Sequence, residues 1–140
     1  MKHILISEQR RIACYFDKQP TGTPLVLLHG FCEDSSVWDA MLPHLNETSL
    51  LRIDLPGFGG SDLPVSANLE YYARDVHEAL LALGVQQCRL IGHSLGGYVA
   101  LEYARLYGAH LSELGLFHSH PYPDDETRIQ NRRRGIEMLQ

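Results

Sequence analysis

The sequence has few cysteines, no long apolar run and no excess of basic residues. Its three cysteines, Cys14, Cys32 and Cys88, are odd in number and widely spaced, which argues against a disulfide framework and predicts reduced thiols in the cytoplasm. The apolar stretch at residues 4–6 is too short for a signal peptide, and no segment is long enough to cross a membrane. Because 12 basic residues stand against 17 acidic ones, for a net charge of −5, we expect no nucleic-acid partner.

The chain contains enough apolar residues for one domain with its own core: 44% of its 140 residues are hydrophobic. Short apolar runs alternate with helical patterns, which is typical of parallel strands covered by helices on both faces. The predicted parallel strands are residues 25–28, 50–53, 88–91 and 114–117. Before them, residues 3–7 and 11–16 predict an antiparallel hairpin at a sheet edge. The predicted fold class is therefore α/β.

Apolar spacing predicts four helices between and after these strands. The first begins near Ser35 or Ser36 and packs its apolar residues, Trp38, Met41, Leu42 and Leu45. The second spans residues 68–83 and stops at Gly84, the third follows Ser94, and the last spans residues 124–140.

Residues 90–98 are the most informative segment, because a buried strand there runs through the pattern G-x-S-x-G into a helix. Ser94 would lie on a sharp strand-to-helix turn that lifts its hydroxyl into a cleft, and this turn closes only if Gly92 and Gly96 lack side chains. The N–H of Leu95, the first helical residue, would point at a developing oxyanion. A plain glycine-rich turn is the alternative, and the flanking strand and helix favour the elbow.

Two further motifs follow predicted strands. His29-Gly30 lets the backbone turn so that the N–H of Phe31 faces the same point as that of Leu95. The glycine-rich stretch at residues 54–62 lacks a Gly-Lys-Ser/Thr ending, so we do not expect it to bind phosphate.

These three motifs occur in a fixed order at strand ends: His-Gly at 29–30, D-x-x-G-x-G-x-S at 54–61 and G-x-S-x-G at 92–96. Their order and positions resemble the α/β-hydrolase superfamily over essentially the whole chain. The resemblance implies a hydrolase that cleaves an ester, thioester or amide of a small, largely apolar substrate, with no metal or organic cofactor.

The resemblance also implies roles for single residues. Ser94 matches the nucleophile, and Phe31 and Leu95 match the oxyanion donors. His29 and His93 flank the site, but neither matches the family's catalytic base. The stretch beginning at Asp54 matches a loop that is mainly structural in the family.

The sequence departs from the family pattern after Ser94, because the acid and histidine follow the nucleophile after later strands in the family, and no later position here matches the histidine. We expect a partial hydrolase domain over residues 1–140, with a core at 1–122 and a helix at 123–140 that would begin the lid, lacking the last two strands. The missing base predicts little activity of this chain alone. A non-catalytic binding module, or a half completed by a second polypeptide, remains an alternative.

Several residues near the end of the predicted sheet keep more than one interpretation. His118 and His120 form a polar loop at the edge of the cleft, supply a substitute base or bind a metal. Asp124 either caps the last helix or serves as a catalytic acid. The strand at 114–117 would present a bare edge, so we expect self-association through it.

Overall fold

The computed structural model describes residues 2–6, 9–18, 22–45 and 49–138. The strands within these ranges are β1 (Lys2–Leu5), β2 (Arg11–Lys18), β3 (Leu25–Leu28), β4 (Leu50–Ile53), β5 (Cys88–His93) and β6 (Leu111–Phe117). The α-helices are α1 (Leu69–Ala82), α2 (Leu95–Tyr107) and α3 (Glu126–Met138). Short 3-10 turns span Ser35–Trp38, Leu42–His44 and Gly108–His110. No helix in the described ranges is long and apolar enough to cross a membrane.

The six strands form one sheet in the order β1-β2-β4-β3-β5-β6. The β1–β2 and β2–β4 pairs are antiparallel, and β4, β3, β5 and β6 run parallel to one another. This confirms the mostly parallel sheet and its N-terminal hairpin. From β3 the chain crosses to β4 on one side and later returns to β5 on the other, and a sheet that reverses in this way places its ligand site at the carboxyl ends of those strands.

Both faces of the sheet are covered, but by different elements. Helices α1 and α2 cover one face and enclose the larger core, which includes Val26, Leu90 and Val99. The first two 3-10 turns, Ser35–Trp38 and Leu42–His44, cover the other face, where Leu27 and Trp38 belong to a smaller cluster. Alternation along β5 divides its side chains between these faces, since every second residue of a strand points the same way.

The helix predicted to begin near Ser35 is wrong: the chain forms two 3-10 turns there, Ser35–Trp38 and Leu42–His44. Asp34 caps the first turn, its Oδ1 accepting the Ser36 N–H at 2.8 Å. Pro43 has no N–H to donate to a carbonyl of the preceding turn, which favours a break into two short turns over one continuous α-helix. The predicted apolar contacts nevertheless occur, because the second cluster includes Trp38, Met41, Leu42 and Leu45.

Helix α3 begins at Glu126, and its cap differs from the prediction. The Oδ1 of Asp125, not that of Asp124, accepts the Arg128 N–H at 2.8 Å. Asp124 instead pairs with Arg132, with 2.6 Å between Oδ2 and Nε. The prediction that Asp124 caps this helix is therefore wrong. The cap is the next residue, Asp125, whose carboxylate accepts the free N–H of the first turn.

Candidate active site

Ser94 is the single residue between the end of β5 and the start of α2. Its φ of 50° and ψ of −110° are unusual for a residue with a side chain, and such a conformation persists only where surrounding contacts fix it. Its N–H donates to the Phe117 carbonyl at 3.0 Å, and its carbonyl accepts the Gly97 N–H at 3.0 Å. The strained turn is thus fixed from β6 on one side and from α2 on the other.

Glycines around the turn leave no space for a side chain. A Cβ at Gly92 would overlap the backbone of Gly96, and a Cβ at Gly96 would lie 2.6 Å from the His29 carbonyl oxygen. At Gly97 it would overlap the side chain of Ser119. The close contact at Gly96 also shows that the end of β3 lies directly against the first turn of α2.

That contact brings the Phe31 segment beside the elbow. The N–H of Leu95 belongs to the first turn of α2, where backbone donors have no acceptor within the helix. Phe31 follows β3 by three positions, and 65% of its surface is exposed. Gly30, directly before Phe31, is buried and has both of its backbone polar groups hydrogen-bonded. Its N–H donates to Glu33 Oε2 and its carbonyl bonds to Nδ1 of His29, each at 2.7 Å.

His29 is buried and connects the ends of two strands. Its Nε2 accepts the Leu55 N–H at 2.8 Å, which makes Nδ1 the donor to the Gly30 carbonyl. Burial lowers the pKa of His29, although the Gly30 carbonyl and nearby carboxylates oppose this change. Both ring nitrogens of His29 are therefore occupied by backbone groups of the loops that follow β3 and β4.

His93 faces away from α2, in an aromatic group with Trp38 and Phe117 at ring-centroid distances of 6.3 and 5.7 Å. Its Nδ1 lies 2.9 Å from Oε2 of Glu33. Partial burial raises the pKa of Glu33, but the Gly30 N–H and the His93 ring lower it by more, so the pKa lies below its ordinary value. Sequence reasoning missed Glu33, whose partner lies 60 residues away.

The two later histidines lie near the elbow without reaching its hydroxyl. His118 is exposed, and its ring lies edge-on to that of His93 at 6.0 Å. His120 accepts the Tyr122 N–H on Nδ1 and contacts Arg128 through Nε2. Within the described ranges, the Ser94 side chain makes no hydrogen bond. The same residues contain no group of three potential ligands that could hold a metal ion.

The glycine-rich loop after β4 is organised around the buried carboxylate of Asp54. Its Oδ1 accepts the Ser35 N–H at 2.8 Å, and its Oδ2 accepts the Gly60 N–H at 2.8 Å and the Tyr15 hydroxyl at 3.0 Å. The Ser61 hydroxyl donates to the Asp54 carbonyl at 2.6 Å. These bonds connect the loop to β2 and to the first 3-10 turn, as expected of a structural loop.

Several cavities open at this end of the sheet. A pocket of about 330 Å³ is lined by Leu69, Leu95 and Tyr98 and bordered by the Asp124–Arg132 ion pair. A larger cleft of about 600 Å³ is lined by residues of the loops that follow β3 and β4, such as Val37 and Phe58. The smaller pocket is the better candidate for a substrate group, because Leu95 directly follows Ser94.

Comparison with known proteins gives consistent matches. A family model described as alpha/beta hydrolase fold matches residues 23–131. The pimeloyl-[acyl-carrier protein] methyl ester esterase of Aeromonas hydrophila is 38% identical over 94 residues, covering 66% of this chain and 36% of that protein. The 2-succinyl-6-hydroxy-2,4-cyclohexadiene-1-carboxylate synthase of Pectobacterium atrosepticum is 34% identical over 110 residues, covering 79% and 43%.

Among solved structures, a thermophilic esterase from Thermogutta terrifontis superposes with a TM-score of 0.85 at 33% identity. The match covers 99% of this chain and 53% of that chain. The chain therefore spans between about a third and about a half of the length of these relatives.

Proposed function

Because the chain belongs to the α/β-hydrolase family, we propose that it carries the nucleophile and oxyanion hole of a serine hydrolase. The observation that supports this proposal most directly is the strained backbone of Ser94 between β5 and α2, with its hydroxyl unbonded among the described residues. Phe31 and Leu95 supply the two N–H donors, since the end of β3 lies against the first turn of α2.

In the proposed reaction, the Ser94 Oγ forms a bond to the carbonyl carbon of an ester, thioester or amide while its proton passes to a general base. The N–H groups of Phe31 and Leu95 stabilise the negative oxygen that develops. The carbonyl-to-leaving-group bond then breaks, and the leaving group takes up the proton. Water cleaves the acyl-serine to release the acid and restore the hydroxyl.

The general base and its acid are proposed to come from outside these 140 residues. The relatives compared above are about two to three times longer than the matched part of this chain, and the ring nitrogens of His120 already face two donors. His118 is the alternative base, because its exposed ring follows the strand that fixes the Ser94 N–H. Without a base, we expect this chain to show only the residual catalysis of an oxyanion hole.

We further propose a small substrate with an apolar acyl group, since the pocket at Leu95, the residue after Ser94, is also lined by Leu69 and Tyr98. The relatives that act on esters support this class. A cytoplasmic location is proposed from the unpaired cysteines, Cys14, Cys32 and Cys88. The second candidate function, a non-catalytic binding module, is favoured by one observation: no described histidine is bonded to Ser94.

Labelling with a fluorophosphonate, followed by intact mass, tests the proposal. The Ser94 oxygen would bond to phosphorus while fluoride leaves and the proton passes to base or solvent. Because the base is proposed to lie outside these residues, we expect slow labelling that still reaches one probe per chain at excess probe. It should disappear in Ser94→Ala and persist in Ser36→Ala, a matched change at an exposed serine. A chain that is folded by circular dichroism yet remains unlabelled at excess probe would contradict a nucleophilic Ser94 and favour the binding module. Rapid labelling would instead favour His118 as the base.

A further inference from the structure

Glu33 and His93 form a polar pair for which the proposed reaction has no use. Glu33 Oε2 accepts the Gly30 N–H at 2.7 Å and lies 2.9 Å from His93 Nδ1, so a single oxygen joins the loop after β3 to the last residue of β5. His93 directly precedes Ser94 and Gly30 directly precedes Phe31. The pair therefore connects the segment of the nucleophile to the segment of an oxyanion donor.

The pair sits in a site built to hold it. A Cβ at Gly30 would lie 2.8 Å from Glu33 Oε2 and 3.1 Å from His93 Nδ1, so only glycine allows the carboxylate and the imidazole to approach this backbone. The side chains of Glu33 and His93 are only 31% and 20% exposed. Their hydrogen bonds are consequently stronger than those of a fully solvated pair.

Contacts on both sides of Gly30 fix the direction of the next N–H. Glu33 holds the Gly30 N–H, and His29 donates to the Gly30 carbonyl at 2.7 Å. That carbonyl and the Phe31 N–H belong to one planar trans peptide, so they point in opposite directions. Once the carbonyl is held, the direction of the Phe31 N–H is fixed as well.

We propose that Glu33 and His93 are positioning residues that orient the Phe31 N–H toward the oxyanion formed at Ser94. This proposal rests on the function proposed above. Glu33 contacts no reacting atom and acts through Gly30, while His93 acts by holding Glu33. Asp34 serves as the matched control, because its carboxylate lies in the same loop but accepts the Ser36 N–H and not that of Gly30.

Four variants test the proposal: Glu33→Gln, His93→Phe, His93→Asn and Asp34→Asn. Glu33→Gln weakens the carboxylate acceptor, and His93→Phe removes the Nδ1 donor while keeping a ring. His93→Asn retains an N–H near the position of Nδ1, and Asp34→Asn is the control. Removing an oxyanion donor outright costs about 10²–10³ in rate, so a misdirected donor should lower the maximal fluorophosphonate labelling rate by about tenfold or more. We expect this loss in Glu33→Gln and His93→Phe, with the half-saturating probe concentration unchanged, and recovery in His93→Asn.

The amide proton shift of Gly30, measured by NMR on the same 140-residue chain, gives a second readout that needs no reactivity. We expect an upfield shift in Glu33→Gln and His93→Phe, since both disturb the bond to the carboxylate, and none in Asp34→Asn. If wild type is labelled and all four variants are labelled at its rate, the positioning proposal is overturned while the proposed function stands. If wild type itself is not labelled, the proposed function fails, and the Gly30 shift alone then decides for or against the positioning pair.

Discussion

At the scale of single residues, Gly96 determines whether β3 and α2 can approach each other. A Cβ there would lie 2.6 Å from the His29 oxygen and 2.7 Å from the Leu28 oxygen, and both belong to backbone that cannot rotate aside. Gly96→Ala should therefore lower the free energy of unfolding by about 3 kcal/mol, at the upper end of overpacking costs. Urea denaturation followed by circular dichroism measures this loss.

Gly108→Ala is the matched control for that substitution. Gly108 has a helical φ of −54°, and a Cβ added there would have nothing within 4 Å of it. The added methyl should leave the stability unchanged or raise it by up to about 1 kcal/mol. Equal stability losses in both variants would show that the contact between β3 and α2 is not the constraint described here.

At the scale of elements, β6 has an open edge. It pairs with β5 and with no other strand in the described part of the chain, and Leu114 and Phe117 are 39% and 40% exposed. We expect a second copy to pair with this edge, giving a dimer fraction that grows with concentration in sedimentation velocity. Leu114→Lys should reduce that fraction, because a charge at an edge opposes strand pairing.

Leu81→Lys provides the comparison, since Leu81 is 41% exposed on α1, away from β6. This variant should associate as wild type does. A wild-type chain that remains monomeric at all concentrations, or two lysine variants with equal effects, would contradict pairing through β6.

Elements were predictable where the signal is local. Alternating apolar runs indicated the parallel strands, and helical spacing after Asn68 indicated α1, whose first turn Asn68 caps by accepting the Tyr71 N–H at 2.9 Å. The spacing of Trp38 and Leu42 correctly predicted that they share one apolar cluster but not the helix type, because two separate 3-10 turns place them on the same face of the sheet.

The candidate site was likewise predictable only where its signal is local in the sequence. G-x-S-x-G carries its own steric requirement, so the positions of Gly92, Ser94 and Gly96 could be inferred from the sequence. The role of Glu33 could not, since its partner His93 is 60 residues away and only the crossover from β3 to β5 brings them together. Likewise, nothing local indicated that His29 is occupied on both ring nitrogens by Gly30 and Leu55.

At the scale of the whole molecule, two buried histidines make stability depend on pH. His29 lies at the carboxyl end of the sheet, whereas His77 lies on α1 and stacks on Tyr107 of α2 with a ring-centroid distance of 3.8 Å. Burial lowers the pKa of both, helped at His77 by the charge of His110 and opposed there by Glu78. The folded state therefore holds both rings neutral at pH values where the unfolded chain would protonate them.

The sign of the effect follows from proton binding. Below a pH of about 6.5 these two histidines bind protons in the unfolded chain but not in the folded chain. The free energy of unfolding therefore falls as the pH falls. For His29 the slope approaches about 1.4 kcal/mol per pH unit until its folded pKa is reached. The lowered pKa values of Glu33 and Asp34 affect stability only below a pH of about 4.5. Between pH 6.5 and about 5, the change of stability with pH therefore comes from histidines.

Urea denaturation at several pH values across that window measures the slope. His29→Gln and His77→Gln should each flatten it, since each removes one group whose folded and unfolded pKa values differ. His44→Gln, at an exposed histidine, should leave it unchanged. His77→Gln keeps the test decisive if His29→Gln does not fold, because the two histidines lie in different parts of the molecule. A wild-type slope in every folded variant would mean that neither ring is held neutral by the fold.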